Sequence, residues 1–307
     1  MQKLIKSSTP KVKIYEMFMR DGLQSLNKVY PIETKLAFFN LLNSCNFHCI
    51  EVGSTTSPKL LPQMANSFEL YKNAKKNPMT KYTILVPSIT KINETIGNNV
   101  NSFGLVCSVS ETFAQKNLKK SSKETFNNVI QQMDIITQNV INPHIRVYLS
   151  CSFGSPWENF NNEYLENLNV FIMELLEYSK YNELNNEKFD IVVSDTVGLS
   201  SEKRTNEILK MLQFSVDNDK MDYLAMHIHS KENGFTKIIN SCIDNKIFKF
   251  DSSMCGIGGC PFAEDEAFGN ISTTKLINLL QSLGFCKNYN LNTLNYCEKE
   301  LNKILDS

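Results

Sequence analysis

The 307-residue chain has no excess of charge of either sign. Thirty-two lysines and arginines face 32 aspartates and glutamates, so no global field draws in nucleic acid or an anionic membrane. A local basic patch for an anionic substrate remains compatible with that balance. No uninterrupted apolar run is long enough to span a bilayer. The opening stretch MQKLIKSSTPKVKIYEMF has neither an apolar secretory core nor an Arg/Ser-rich presequence. The closing LNKILDS matches no prenylation box and no peroxisomal or reticular address. An intracellular, cytoplasmic location is the expectation. Nine cysteines occur without a CxxC pair in a chain too large to need stapling, which points to reduced thiols. Low-complexity tracts, long linkers and sequence-level repeats are also missing, so nothing divides the chain into separate units.

What is present is an ordinary globular mixture, 42% hydrophobic and 21% charged, arranged in a recurring pattern. Short apolar, β-branched runs alternate with longer segments of helical spacing. The predicted strands are Val12–Phe18, His48–Gly53, Tyr82–Pro87, Ser102–Cys107, Ile145–Cys151, Phe189–Ser194, Tyr223–His229 and Phe248–Ser253. Predicted helices include Glu33–Ser44, with Leu36, Phe39 and Leu42 on one side, and Glu124–Gln138, with Val129, Met133 and Ile136. A third is Asn167–Tyr178, with Val170, Met173 and Leu176. Strand alternating with helix implies a parallel sheet, because each return crossover needs a dozen or more residues. Eight such units suit closure into a (β/α)8 barrel, which takes about 250 residues plus insertions. An open doubly wound sheet is the alternative, but the first strand–helix turn reads RDGLQ and lacks the GxGxxG fingerprint. The expectation is one catalytic domain over 1–307, with the barrel at about 12–262 and a helical extension at about 263–307.

Barrel enzymes place their chemistry where strands end and βα loops begin. Reading each predicted strand to its end collects Arg20 and Asp21, Glu51, Asp195, His227 and His229, and Cys260 on one rim. His227 and His229 stand at i and i+2 of a strand, so both imidazoles project to the same face. A chance pair of strand histidines, one buried and one exposed, is the other reading, although they are two of only four histidines in the chain. Two imidazoles and a carboxylate suit a borderline divalent ion, and further oxygen ligands shift the preference to Mg or Mn. Arg20 could clamp a developing enolate beside Asp21; a surface ion pair with a turn at Gly22 is the other reading. Glu51 and Asp195 sit in apolar strands, HCIEVG and IVVSDTVG, where a lone carboxylate is costly. Each is either a proton acceptor or orienting group, or half of a structural ion pair. Cys260 closes the glycine-rich CGIGGC loop and could donate a proton from a mobile or tightly turned lid. The alternatives are an inert thiol and a phosphate-cradling loop.

Taken in order, these motifs resemble the 3-hydroxy-3-methylglutaryl-CoA lyase family within the DRE-TIM metallolyases. RDGLQ at 20–24, IEVGSTTSPKLLPQM at 50–64, SETFAQKN at 110–117 and CSFGSPWE at 151–158 carry the likeness. SDTVG at 194–198, HIH at 227–229, DSSMCGIGGCPFA at 251–263 and GN at 269–270 complete it, over roughly residues 12 to 285. The resemblance implies a TIM barrel that uses a divalent metal, Mg or Mn, to cleave a 3-hydroxyacyl-CoA into acetyl-CoA and a ketoacid. It implies Asp21, His227, His229 and Asn270 as metal ligands. Arg20 and Gln24 would meet the substrate, Glu51 and Asp195 would support the site, and Cys260 and His227 would handle protons. The partner is then a small acyl-CoA, with no nucleic acid, no membrane, and a homodimer as the candidate assembly.

The chain departs from the family pattern at Ser230, where Asp is usual after the histidine pair. It departs also at Phe18 and Met19 before Arg20, at Ser155 in place of a cysteine, and by an extra residue between Cys260 and Asn270. A condensing synthase or aldolase of the same superfamily, or a barrel that only binds its ligand, are the alternative readings of these departures.

Overall fold

The computed structural model describes residues 10–229, 234–259 and 268–306. Eight strands close into one parallel barrel in sequence order. They are β1 (Lys13–Glu16), β2 (Cys49–Ser54), β3 (Lys81–Leu85), β4 (Ser102–Ser108), β5 (His144–Ser150), β6 (Phe189–Ser194), β7 (Leu224–His227) and β8 (Lys249–Ser252). The circle closes through β1 and β8, where Lys13 pairs with Lys249 and Tyr15 with Asp251. A helix follows each strand, the eighth being Thr273–Ser282, and Leu291–Asp306 then packs against both that helix and Ile32–Asn43. No helix among the described residues is long and apolar enough to cross a membrane.

Every predicted strand exists, and the two most shortened, the first and the seventh, end early for a physical reason. The first stops at Glu16 because Phe18–Gly22 coils into one π-helical turn, in which the Gly22 amide reaches back to the Met17 carbonyl. The seventh stops at His227, and His229 pairs instead in an isolated bridge with Asn270.

The helix Ser122–Asn139 begins one residue after Ser121, whose hydroxyl accepts from the Glu124 amide while Glu124 accepts from the Ser121 amide. That reciprocal box satisfies two otherwise orphaned donors. Its predicted inner face is correct: Val129, Met133 and Ile136 are all fully buried. In Ile32–Asn43, Phe39 and Leu42 are buried and Leu36 lies only partly covered. The inner face of Asn162–Tyr181 differs from expectation. Leu168, Ile172, Leu175 and Leu176 are buried, whereas Val170 and Met173 are 43% and 37% exposed. The segment carries two apolar rows, so periodicity alone does not choose between them; Phe171, stacked on Phe126 with centroids 4.2 Å apart, belongs to the helix–helix contact that does.

Strand alternation separates two environments. Outward residues such as Ile14, Ile50, Phe103, Val147, Ile191 and Phe250 join one large hydrophobic cluster with the surrounding helices. Inward residues are largely polar, unlike the branched aliphatic layers typical of such barrels. Along β5 they are His144, Arg146 and Tyr148, all buried. At the amino-terminal end His144 is bonded to Ser102 through Nδ1 (2.8 Å) and lies 3.1 Å from Asp190 through Nε2. Lys249 donates to the other Asp190 oxygen at 2.7 Å.

Burial pushes the His144 imidazole down to about 4, against the opposing pull of Asp190. The fold therefore holds the neutral ring, whereas the unfolded chain protonates it near pH 6.5. Between those values the unfolded state binds more protons, so this contribution to stability is complete above about pH 6.5 and is lost as pH falls towards 4. His144→Gln removes the effect. The stability gap between wild type and variant, followed by urea unfolding, should narrow by about 3 kcal/mol on going from neutral pH to about pH 4. A constant gap would mean that His144 titrates as it does in the unfolded chain.

Candidate metal centre and active site

The π-helical turn after β1 presents Arg20 and Asp21 inward at the carboxyl-terminal rim, both buried. Glu16 anchors that turn from below. Its Oε1 accepts from the amides of Phe18 (3.0 Å) and Met254 (2.9 Å), and its Oε2 from the Thr273 hydroxyl (2.6 Å). One buried carboxylate thus ties together the segments leading to Asp21, to the glycine-rich loop and away from Asn270. Burial raises Glu16 to about 7 despite these three donors.

Arg20 is fixed on two sides. Its Nε donates to Glu51 Oε2 at 2.5 Å and its Nη1 to Asp21 Oδ1 at 2.6 Å. Desolvation by itself would lower the guanidinium, but Glu51 and then Asp21 outweigh it and the arginine is raised. Glu51 is held in turn by the Tyr148 hydroxyl at 3.2 Å. Gly104 on β4 makes room for this pair, since a Cβ there would lie 2.9 Å from Glu51 Oε1.

Asp21 Oδ1 also accepts from Gln24 Nε2 at 2.7 Å, while Oδ2 faces the Asn270 amide and His229 Nε2, the latter at 3.4 Å. Burial would raise this carboxyl, but the charge of Arg20 and then the His229 contact hold it well below the usual range. His229 is raised, the Asp21 contact overcoming its desolvation.

The ring nitrogens supply a test of whether these residues fit a cation. His229 Nδ1 lies 2.8 Å from the Phe268 carbonyl oxygen, which can only accept, so the proton sits on Nδ1. His227 Nδ1 lies 3.1 Å from Asp251 Oδ2, another acceptor. In the neutral rings each Nε2 therefore presents a lone pair, and the two are 2.9 Å apart. Two acceptors so close repel each other unless a positive centre lies between or beside them. The Asn270 Oδ1 atom is buried without any hydrogen-bond partner. Asp21, His227 and His229 offer ligand atoms within 4.8 Å of one another, all from buried residues. Two imidazoles, one carboxylate and an unsatisfied amide oxygen make a donor set that suits a divalent cation.

Above this cluster is a cavity of about 160 Å³. Arg20, Asp21, Gln24, His227 and His229 form its polar side, and Leu61, Leu85, Val106 and Phe113 contribute apolar wall. Apolar walls lower the local dielectric and strengthen any charge contact made inside.

The structure therefore gathers Arg20, Asp21, Gln24, His227 and His229 around one cavity, with Glu51 bonded to Arg20 and Asn270 to Asp21 behind its wall. Asp195 is placed differently from the rest. Its two oxygens accept the Leu199 and Ser200 amides at 2.8 Å each, so it closes the loop after β6, and Ser200 Oγ reaches the His229 carbonyl at 3.3 Å. It makes no bond to Arg20 or to either imidazole. Cys260 and Ser230 lie outside the described residues. Sequence reasoning missed Glu16, Arg146, Tyr148 and Asp251. The signal for the last three was inward parity: alternating polar residues in HIRVYLS and an acid in the eighth strand.

Fold and site together define the class: a (β/α)8-barrel enzyme with a buried cluster at the carboxyl-terminal rim whose donor set could hold a divalent cation. A family model described as HMGL-like matches residues 11–300. The 3-hydroxy-3-methylglutaryl-CoA lyase, cytoplasmic, of Danio rerio is 29% identical over 273 residues, covering 89% of this chain and 77% of that protein. The crystal structure of hydroxymethylglutaryl-CoA lyase from Pseudomonas aeruginosa superposes with a TM-score of 0.85 at 25% identity, over 97% of this chain and 94% of that one. An HMG-CoA lyase from Acenitobacter baumannii, solved with coenzyme A and 3-methylmalate, shares the fold with a TM-score of 0.82 at 24% identity, over 96% and 92%. The chain belongs to the HMGL-like family and is a carbon–carbon lyase.

Among the described residues, the glycine-rich loop comes up against the cluster at Gly258. A Cβ there would lie 1.9 Å from Asn270 Nδ2 and 2.9 Å from Asp21 Oδ2, and its φ of +149° disfavours any other residue. Gly258→Ala should push Asn270 and Asp21 apart and weaken Mn binding by about tenfold to a hundredfold in titration calorimetry. Unchanged affinity would remove Asn270 from the ligand set.

Proposed function

We propose that the chain cleaves a 3-hydroxyacyl-CoA of the 3-hydroxy-3-methylglutaryl type into acetyl-CoA and a ketoacid, with a divalent ion, Mg or Mn, held by Asp21, His227, His229 and Asn270. One observation carries the reading: the Asp21 carboxylate serves Arg20 with one oxygen and the histidine–asparagine cluster with the other. An anion-stabilising arginine and a cation site thus share one cavity, as a retro-aldol cleavage beside a thioester requires. The Acenitobacter relative, solved with coenzyme A and a hydroxydiacid, is consistent with an acyl-CoA substrate.

When bound, the ion would polarise the substrate's oxygens and lower the pKa of its hydroxyl. The protein's own part is charge placement and proton handling. As the bond between C2 and C3 breaks, C3 becomes a carbonyl and the electron pair passes into the enolate of acetyl-CoA. Arg20, immobilised by Glu51 and Asp21, offers its remaining N–H groups to the enolate oxygen, with no reorganisation at that moment. Two protons move: one leaves the 3-hydroxyl and one arrives at C2. His227 and Cys260 are the groups assigned to them. At His227 the available atom is Nε2, since Nδ1 is committed to Asp251; ligation and protonation there exclude each other, so it serves one role at a time. Gln24, bonded to Asp21 at the cavity wall, is assigned to substrate contact.

A coupled assay decides the reading: acetyl-CoA should appear from 3-hydroxy-3-methylglutaryl-CoA when Mg or Mn is supplied, and chelator should abolish it. Free CoA from acetyl-CoA plus a 2-ketoacid would assign condensation instead. No turnover across a panel of 3-hydroxyacyl-CoAs would leave only a binding protein. Arg20→Met should lower kcat by about 10²- to 10³-fold with a much smaller change in KM, because its contact strengthens as enolate charge develops. A loss confined to KM would make Arg20 a substrate anchor only.

A further inference from the structure

Below the rim, one continuous series of buried hydrogen bonds crosses the inside of the barrel from the arginine to the histidines. From Arg20 it passes to Glu51, then to the Tyr148 hydroxyl 3.2 Å away, and on to Arg146 Nη1 at 3.4 Å. Arg146 Nη2 donates to Asp251 Oδ1 at 2.7 Å, and Asp251 Oδ2 meets His227 Nδ1 at 3.1 Å. Glu51, Arg146 and Asp251 are between 0% and 1% exposed, so water does not compete for these bonds.

We propose that Asp251 is a positioning residue that holds His227 in the tautomer protonated on Nδ1, aiming the Nε2 lone pair into the cation cluster, with Arg146 locking Asp251 in place. The reading rests on the metal site proposed above. An ionised carboxylate can only accept, so the imidazole nitrogen facing it must be the donor. Arg146, permanently charged, supplies the counter-ion, and it cannot swing away. Its guanidinium carbon stands 3.6 Å from the centre of the Tyr15 ring and its Nη1 reaches the Tyr148 hydroxyl, whereas Asp190 Oδ2, 3.3 Å from Nε, makes no hydrogen bond to it, so the lock does not depend on Asp190. Asp251 itself rides on β8, in register with Tyr15 of β1, so its side chain leaves a rigid strand rather than a loop. Without this bond the ring could carry its proton on Nε2 and point an N–H at His229 Nε2, which is 2.9 Å away. Such orienting partners of ligating histidines set both tautomer and ligand strength.

Asp251→Asn tests the assignment because it keeps shape and removes one acceptor. Arg146 will claim the amide oxygen, leaving the NH2 group against His227 Nδ1 and forcing the proton to Nε2. Long-range ¹H–¹⁵N spectra of the histidine-labelled, metal-free protein should show His227 as the Nδ1–H form in wild type and the Nε2–H form in the variant. Mn affinity should fall by about tenfold to a hundredfold. Asp190→Asn is the control: it removes a carboxylate from the same arginine without touching His227, and should change neither the tautomer nor the affinity. The proposal is overturned if Asp251→Asn keeps Nδ1–H with wild-type affinity, or if Asp190→Asn weakens Mn equally. It is also overturned if the wild-type ring carries its proton on Nε2, a measurement that stands even where the variant does not fold. Failure of wild type to bind Mn at all would sink the metal reading alone, since the tautomer is read without metal.

Discussion

Asp21 has two oxygens, and each faces a different system of charge. Oδ1 takes Arg20 and Gln24; Oδ2 takes the Asn270 amide and lies beside His229. The carboxylate is buried, so without the arginine it would be protonated or displaced, and without its neighbours on the other side it would be a plain ion pair. The rest of the site is arranged to keep that division. Glu16 ties the turn that carries Asp21 to the segments on either side of Asn270, and Glu51 stops Arg20 from turning away.

The inside of the barrel shows what this arrangement costs. Lys249, Asp190, His144, Arg146, Tyr148, Asp251 and Glu51 all lie buried, in a space that (β/α)8 barrels typically fill with aliphatic layers. Buried ion pairs add little net stability compared with apolar packing, since desolvation offsets most of the attraction. Their contribution here is position. The hydrophobic core that stabilises the fold is the layer between strands and helices, and it leaves the interior free to be polar. Packing and chemistry thus occupy opposite faces of the same strands.

Solved relatives at 24–25% identity share the architecture over nearly the whole chain, and this chain carries each arginine-cluster and cation-cluster residue that the family resemblance implies. The two departures beside the site that fall within the described residues are apolar. Phe18 and Met19 both pack into the main hydrophobic cluster, at 0% and 1% exposure. They anchor the π-helical turn through side-chain packing, while Arg20 and Asp21 point from its other side into the cavity.

The alternation of short apolar runs with helical segments determined a parallel α/β sheet of eight units, because period and length are local properties that a chain displays before it folds. The HxH spacing determined that two imidazoles share a face, because the period of a strand is two. Strand parity also carried the polar interior, legible in HIRVYLS once its inward face is known. What tertiary structure decided is everything that needs two distant segments to meet. Asp195 looked in sequence like Glu51, an acid at the end of an apolar strand; only the loop after β6, folding back to give it two amides, made it a loop closure rather than a partner of Arg20. Glu51 and Asp195 lie far apart in the chain, and periodicity says nothing about which charge either will meet. Asp251 meets His227 and Arg146 only because β5, β7 and β8 face one another across a closed barrel. A chain fixes the side on which each group stands; which charge stands opposite is set by closure, because electrostatic partnership depends on distance in space and not on separation in sequence.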